Sequence, residues 1–186
     1  LPDETIRDIY KITPDEDRSD TQEVKFEKND YGQLVKVPVH DTKAEDNSET
    51  PLDNVREIYG NIVAWISIPG TTIDYPVVRG NDNSYYLTHD HNGQYTANGA
   101  IFMDKRCDSD SQNVVIYGHH MNANIMFTDL MKMKDRNFGL SHKTFYLDLN
   151  DGGTTEWSLI ASFACPNYTA ESFIKTSFTQ ESIGEW

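Results

Sequence analysis

Asn113-Val114-Val115-Ile116-Tyr117-Gly118-His119-His120-Met121 is the stretch on which the reading of this chain turns. A β-branched apolar run, Val114 to Ile116, stops at a glycine and is followed at once by two histidines. The pattern predicts a buried strand over 113–117 that ends at Gly118 and delivers an imidazole to the rim of a sheet. A side chain carried on a strand end is held more firmly than one on a loop, which suits general acid–base chemistry. An ordinary strand-to-turn junction with exposed histidines has the same pattern, so the neighbouring segments have to decide.

Working outward, Ile62-Val63-Ala64-Trp65-Ile66-Ser67-Ile68 is dense enough to predict a mostly buried strand, and Pro69-Gly70 turns it. Ile73 to Val78 reads as a second strand, with Pro76 marking an edge or a bulge. Ahead of them, Asp53 is expected to cap a short helix over 54–59 that Gly60 ends. Asn81-Asp82-Asn83-Ser84 opens a helical turn carrying Tyr85, Tyr86 and Leu87, residues 88–98 form a polar loop, and Ala100 to Asp104 is the next strand. Beyond the histidines, Met126, Phe127, Leu130 and Met131 fall at helical spacing, which predicts an amphipathic helix over 124–135. Thr144 to Leu149 and Thr155 to Phe163 read as strands joined by the turn Asn150-Asp151-Gly152-Gly153. Short strands outnumber helices and their links are turns, so the expected class is mainly β: an antiparallel barrel or sandwich with short decorating helices.

The composition divides the chain of 186 residues in two. Residues 1–50 are acidic and thin in apolar side chains, and are expected to be a solvated linker holding one marginal hairpin. That hairpin would pair the runs at Val24-Lys25-Phe26 and Leu34 to Val39 across Asn29-Asp30-Tyr31-Gly32. The compact domain is expected over 51–186. A net charge of −14 argues against nucleic acid and anionic membrane surfaces as partners. No apolar run of about 18 residues predicts a membrane span. A start at Leu1 instead of Met suggests a processed or excised piece whose anchor lies outside it.

The chemistry-bearing candidates are few. His119 and His120 stand at the strand end. Cys165, just before Pro166, is more readily a packing residue than a nucleophile, and Cys107, between Arg106 and Asp108, reads as an incidental exposed thiol. Neither cysteine lies in a CxxC pair, which speaks against a structural zinc site. His89 and His91 with His119 make a weak metal pattern, so no metal and no cofactor is expected.

The residues do, however, resemble class B sortases. The resemblance rests on Asn61 to Thr71, Ile73 to Val78, Tyr86-Leu87, Gly99 to Asp104, and Val115 to Met121 followed by Met126-Phe127, in order across about residues 52 to 180. It implies a closed β-barrel and a cysteine transpeptidase at the extracellular face of a Gram-positive cell membrane. Such an enzyme cuts a surface protein's sorting signal at Thr and passes the acyl group to a cell-wall peptide amine. His119 matches the family's catalytic histidine, and His120 a frequent non-catalytic neighbour. Asn83 and Leu87 match one wall of the peptide groove, and Thr169, Phe173 and Ile174 the other. The acidic tail matches the spacer that follows a membrane anchor, itself absent from this chain.

The match stops before the family's Thr-Leu-Ser-Thr-Cys strand and the Arg of the strand after it. Cys165 precedes that region and is a poor substitute. The expectation is therefore a barrel lacking its last two strands, inactive by itself. The alternatives are a non-catalytic surface module that keeps the groove to bind a peptide, and a metal-dependent hydrolase built on His89, His91 and His119.

Overall fold

The computed structural model describes residues 6–8, 24–28, 33–38, 51–149, 154–164, 174 and 176. Nine strands are present among them: β1 (Ile6–Asp8), β2 (Val24–Lys28), β3 (Leu34–Pro38), β4 (Ile62–Ser67), β5 (Asp74–Arg79), β6 (Ile101–Met103), β7 (Ile116–Gly118), β8 (Thr144–Leu149) and β9 (Thr154–Ser158). Seven form one sheet in the order β1-β7-β6-β5-β4-β8-β9, and β2-β3 is a separate antiparallel hairpin, as its alternating sequence predicts. The helices are short: α1 (Pro51–Ile58), α2 (Arg136–Ser141) and two 3₁₀ helices, Tyr85–Leu87 and Thr128–Lys134. The class is mainly β, as expected. Among the described residues no ladder joins the outermost strands, β1 and β9, so the expected barrel closure is not seen there.

The pairing is mostly antiparallel, with one exception. β5 runs parallel to β6, Val77 opposite Ile101, because residues 80–100 make a full crossover between them. That crossover carries the Tyr85–Leu87 turn and the polar loop, and so brings both to the end of β7.

Three expected elements shift, each for a local reason. α1 begins at Pro51, ahead of the expected Asp53 cap; proline's fixed φ suits the first helical turn. Its Arg56 then donates to the carbonyls of Ile62 and Val63, where β4 carries a register shift against β5. β7 starts at Ile116 rather than 113, because the preceding residues pair with the Cys107 loop: Asp104 N bonds Val115 O, and Cys107 Sγ approaches Asn113 O. The single helix expected over 124–135 is replaced by a 3₁₀ helix and α2. Met126 adopts a positive φ of 55°, Thr128 turns its hydroxyl back onto the carbonyls of Met121, Ala123 and Ile125, and Asp135 is extended. A helix passing through those conformations is excluded. The Asp135 side chain then caps α2 by accepting from Phe138 N.

The core gathers Trp65, Ile62, Ile73, Val77, Val78, Ile101, Phe102 and Val115, all fully buried or nearly so. The Trp65 indole N–H is satisfied by Asp74 Oδ1 at 2.6 Å. Asp129 on the second 3₁₀ helix accepts from Thr72 N at 2.8 Å and pairs with Lys132 at 2.7 Å, pinning that helix to the β4–β5 turn.

At the end of β7 the sheet admits no side chain. A Cβ on Gly118 would overlap Ile101 Cδ1 and lie 2.6 Å from the Phe127 ring. Gly118→Ala is expected to destabilise the domain by about 1–3 kcal/mol through overpacking, read as a lowered denaturation midpoint at unchanged slope.

Candidate active site

His119 follows the last residue of β7 and is only 6% exposed. Its Nε2 lies 2.7 Å from the Leu87 carbonyl oxygen. A carbonyl only accepts, so in this contact Nε2 carries the proton. On the backbone side, His119 O accepts from Phe127 N at 3.0 Å, closing the loop behind it.

The carbonyl that holds the imidazole is itself held. Asp82 accepts from Ser84 N, Ser84 Oγ and Tyr85 N, and these bonds start the 3₁₀ turn. The backbone bonds from Ser84 and Tyr85 keep the Asp82 carboxyl below its ordinary pKa. Tyr86 is buried against Phe102, its hydroxyl accepts from Asn61 Nδ2 at 2.8 Å, and its carbonyl accepts from Ala100 N at 2.9 Å. Gly99, at φ 59°, lets the chain pass so close that a Cβ there would lie 2.8 Å from Leu87 O.

A second support lies beneath. Asp104, 0% exposed, follows β6 and accepts from the Arg106 guanidinium through two atoms at 2.9 and 2.8 Å. It also accepts from Tyr117 Oη at 2.7 Å, Asn83 Nδ2 at 2.9 Å and Arg106 N at 2.9 Å. Burial by itself would raise this carboxyl's pKa; the bonds from Arg106 and Tyr117 outweigh it and hold the group well below the ordinary carboxylate range.

The structure thus gives the sequence candidates uneven roles. His119 and Leu87 meet directly. Asn83 turns both ends of its amide inward, the oxygen accepting from Lys105 N at 2.8 Å. Ile174 is half-buried against the core, while Thr169, Phe173 and Cys165 lie outside the described residues. Cys107 is corrected: it is 1% exposed, and burial pushes its thiol pKa up, the wrong direction for a nucleophile. The sequence places it in a polar loop, but that loop folds under the start of β7. His89 stacks on Tyr85, His91 is buried elsewhere, and no group of three metal-capable side chains gathers among the described residues. An apolar groove runs between the second 3₁₀ helix and the β8–β9 edge, lined by Ile116, Phe127, Leu130, Phe145, Leu147 and Trp157 among others; His119, Asn83 and Leu87 do not line it.

The Sortase domain model matches residues 66–175. The chain belongs to the class B sortases. It is 32% identical to Sortase B of Listeria monocytogenes over 131 residues, 69% of this chain and 52% of that protein. Against Sortase B of Staphylococcus aureus it is 30% identical over 162 residues, 86% of this chain and 65% of that protein. It therefore spans between half and two thirds of the length of these relatives. Among solved structures, a mutant form of Clostridium perfringens sortase B superposes with a TM-score of 0.67 at 33% identity, covering 70% of this chain and 63% of that one. The S. aureus sortase B–substrate complex gives 0.66 at 28% identity, covering 72% and 62%.

In this sortase the Asp104 cluster and the Asn61 and Tyr86 contacts are structural supports of the His119–Leu87 pair that the sequence reading passed over. An acidic residue closing a buried strand, with an arginine two residues on, was the available signal for the first. Because Asp104 has a lower pKa folded than unfolded, its stabilising contribution is in place above about pH 4 and is lost as pH falls toward the depressed value. Asp104→Asn is expected to cost about 2–4 kcal/mol at neutral pH. It should also flatten the loss of stability between about pH 4 and pH 2, as measured by urea titrations across that range.

Proposed function

We propose that His119 is the acid–base group of a cysteine transpeptidase acting on cell-surface proteins. The observation that carries this reading is the imidazole at the end of β7, oriented by the Leu87 carbonyl at 2.7 Å. With Nε2 occupied by that carbonyl, proton transfer is assigned to Nδ1. A thiolate attacks the Thr carbonyl carbon of a sorting signal, the C–N bond breaks, and the leaving amine takes a proton from Nδ1–H. The amine of a cell-wall peptide then gives its proton back to Nδ1 as it attacks the thioester, and the thiolate is released. The S. aureus sortase B has been solved as a substrate complex, and a sortase B has been solved with triglycine, which supports peptides as the partners of this chain as well.

The thiol in this reading is neither Cys107, which is buried with a raised pKa, nor Cys165. Residues 1–186 carry neither the family's Thr-Leu-Ser-Thr-Cys block nor the arginine of the strand after it, and on this reading are inactive by themselves. The peptide runs between Asn83 and Leu87 on one wall and Thr169, Phe173 and Ile174 on the other. The family places the activity at the outer face of a Gram-positive membrane. No described helix is long and apolar enough to cross a membrane.

Residues 1–186 are expected to leave a fluorogenic sorting-signal peptide uncut, and the polypeptide encoded by the full-length gene to cleave it. In that longer protein His119→Ala should lower kcat/KM by about 10²–10⁴, whereas Cys165→Ala and Cys107→Ala should leave kcat unchanged. Cleavage by residues 1–186 that vanishes on Cys165→Ala would overturn the assignment; peptide binding without cleavage by the full-length protein would favour a non-catalytic module.

A further inference from the structure

The N-terminal hairpin is seated on the body of the domain, β3 against β5 and β2 against α1. Beneath it lies a small, partly open pocket lined by Gln33, Leu34, Tyr75, Ile101, Met126 and His91 among others. His91 is 5% exposed, and its Nε2 has no hydrogen-bond partner among the described residues. Its ring stands edge-on to Tyr59 at a centroid distance of 5.1 Å. An imidazole so placed is tolerated while neutral, since a charge buried there finds no acceptor at Nε2.

The groups that bear on its charge come from each neighbouring element. Asp90 adjoins it in the loop, Lys28 acts from β2, Tyr59 follows α1, and Tyr75 of β5 lines the same pocket. Burial lowers the His91 pKa, Asp90 opposes that, and Lys28 adds to it. Burial likewise raises that of Tyr75, which leaves its hydroxyl neutral and accepting from Met126 N at 3.1 Å.

Two routes run from this pocket to the catalytic imidazole. Gln33 Nε2 approaches Met126 Sδ at 3.3 Å, and the next residue, Phe127, holds His119 O. On the other side, Asn61 Nδ2 donates to His91 O and to Tyr86 Oη, both at 2.8 Å, and Tyr86 precedes the Leu87 carbonyl that binds His119 Nε2. We propose that hairpin β2–β3 is a proton-gated clamp on the His119 loop, seated while His91 is neutral and released when His91 takes up a proton from solvent. A histidine whose pKa is lower docked than undocked favours docking above its ordinary value of about 6.5, and docking weakens as pH falls below that. Each unit of depression corresponds to about tenfold in the docking equilibrium. The clamp stands independently of the transpeptidase reading, because it concerns seating of the hairpin and not turnover.

The test is NMR on the whole chain of 186 residues, following the His91 ring and the Leu34 and Val35 amides. Hairpin protection, corrected for intrinsic exchange, is expected to fall by about tenfold or more between about pH 7.5 and pH 5. In His91→Phe, which cannot titrate, protection should stay flat over that range, and His91→Gln gives a second non-titrating variant should the first fail to fold. Reciprocally, Leu34→Ala, which loosens the hairpin but keeps the histidine, should move the His91 titration up toward the ordinary value. Flat protection in the unaltered protein, an equal fall in the non-titrating variants, or a His91 titration unmoved by Leu34→Ala would each overturn the proposal.

Discussion

A carboxylate with no exposed surface persists only where donors take the place of its water shell, and at Asp104 those donors arrive from three parts of the chain. Arg106 comes from the loop after β6, Tyr117 from β7 and Asn83 from the start of the crossover. His119 stands two residues beyond Tyr117, and Leu87 four beyond Asn83. Both partners of the hydrogen bond that orients the imidazole are thus tied by short lengths of chain to the same buried anion. That is why a charge that does not touch the His119–Leu87 pair governs its geometry: moving either Tyr117 or Asn83 off the carboxylate would leave a buried charge short of donors, a cost of a few kcal/mol. The Arg106 pair alone would not suffice. The guanidinium is half exposed, and an ion pair of that kind is screened by water.

The alternation of β7 explains why the motif needs its glycine. Successive strand residues face opposite sides, so Ile116 and position 118 share one face while Tyr117 shares the other with the start of the His119 segment. On the first face Ile116 lines the apolar groove, and Ile101 and Phe127 close over position 118. On the second, Tyr117 meets Asp104. A side chain at 118 would push β7 off Ile101 and Phe127, and the imidazole would move with it. A glycine there also gives the backbone the freedom to turn immediately after the strand.

What could be read from the sequence follows from how local each determinant is. The β4, β5 and β8 strands declare themselves through runs of apolar residues, and the end of β7 through Gly118, because those signals lie within the segment they describe. The hairpin β2–β3 was legible for the same reason. The helix expected over 124–135 was not, because its apolar spacing is genuine but three local features decide the backbone: the left-handed Met126, the back-bonding Thr128 and the extended Asp135. Cys107 was misplaced because burial of a polar loop depends on what folds over it, here the residues preceding β7. The same holds for the site. His119 was legible as a motif, whereas its partner is a main-chain carbonyl, and any residue type supplies one. The Asp104 cluster draws on positions up to 34 apart, Asn83 to Tyr117, and no local pattern joins them.

Met126 is where the costs of this arrangement collect. A residue with a branchless but full-sized side chain held at positive φ costs about 1–2 kcal/mol relative to an ordinary conformation. It stays there because the bonds on either side of it require that turn. Its amide donates to Tyr75 Oη, the next amide donates to His119 O, and Thr128 collects the carbonyls of the same loop. Each is worth about 1 kcal/mol where buried, so together they exceed the strain, but not by a wide margin. A loop balanced in this way keeps its geometry through the contacts on either side of it. The direction in which His119 presents its ring is then a property of the surrounding contacts, from Tyr75 across to Leu87, more than of the histidine motif itself.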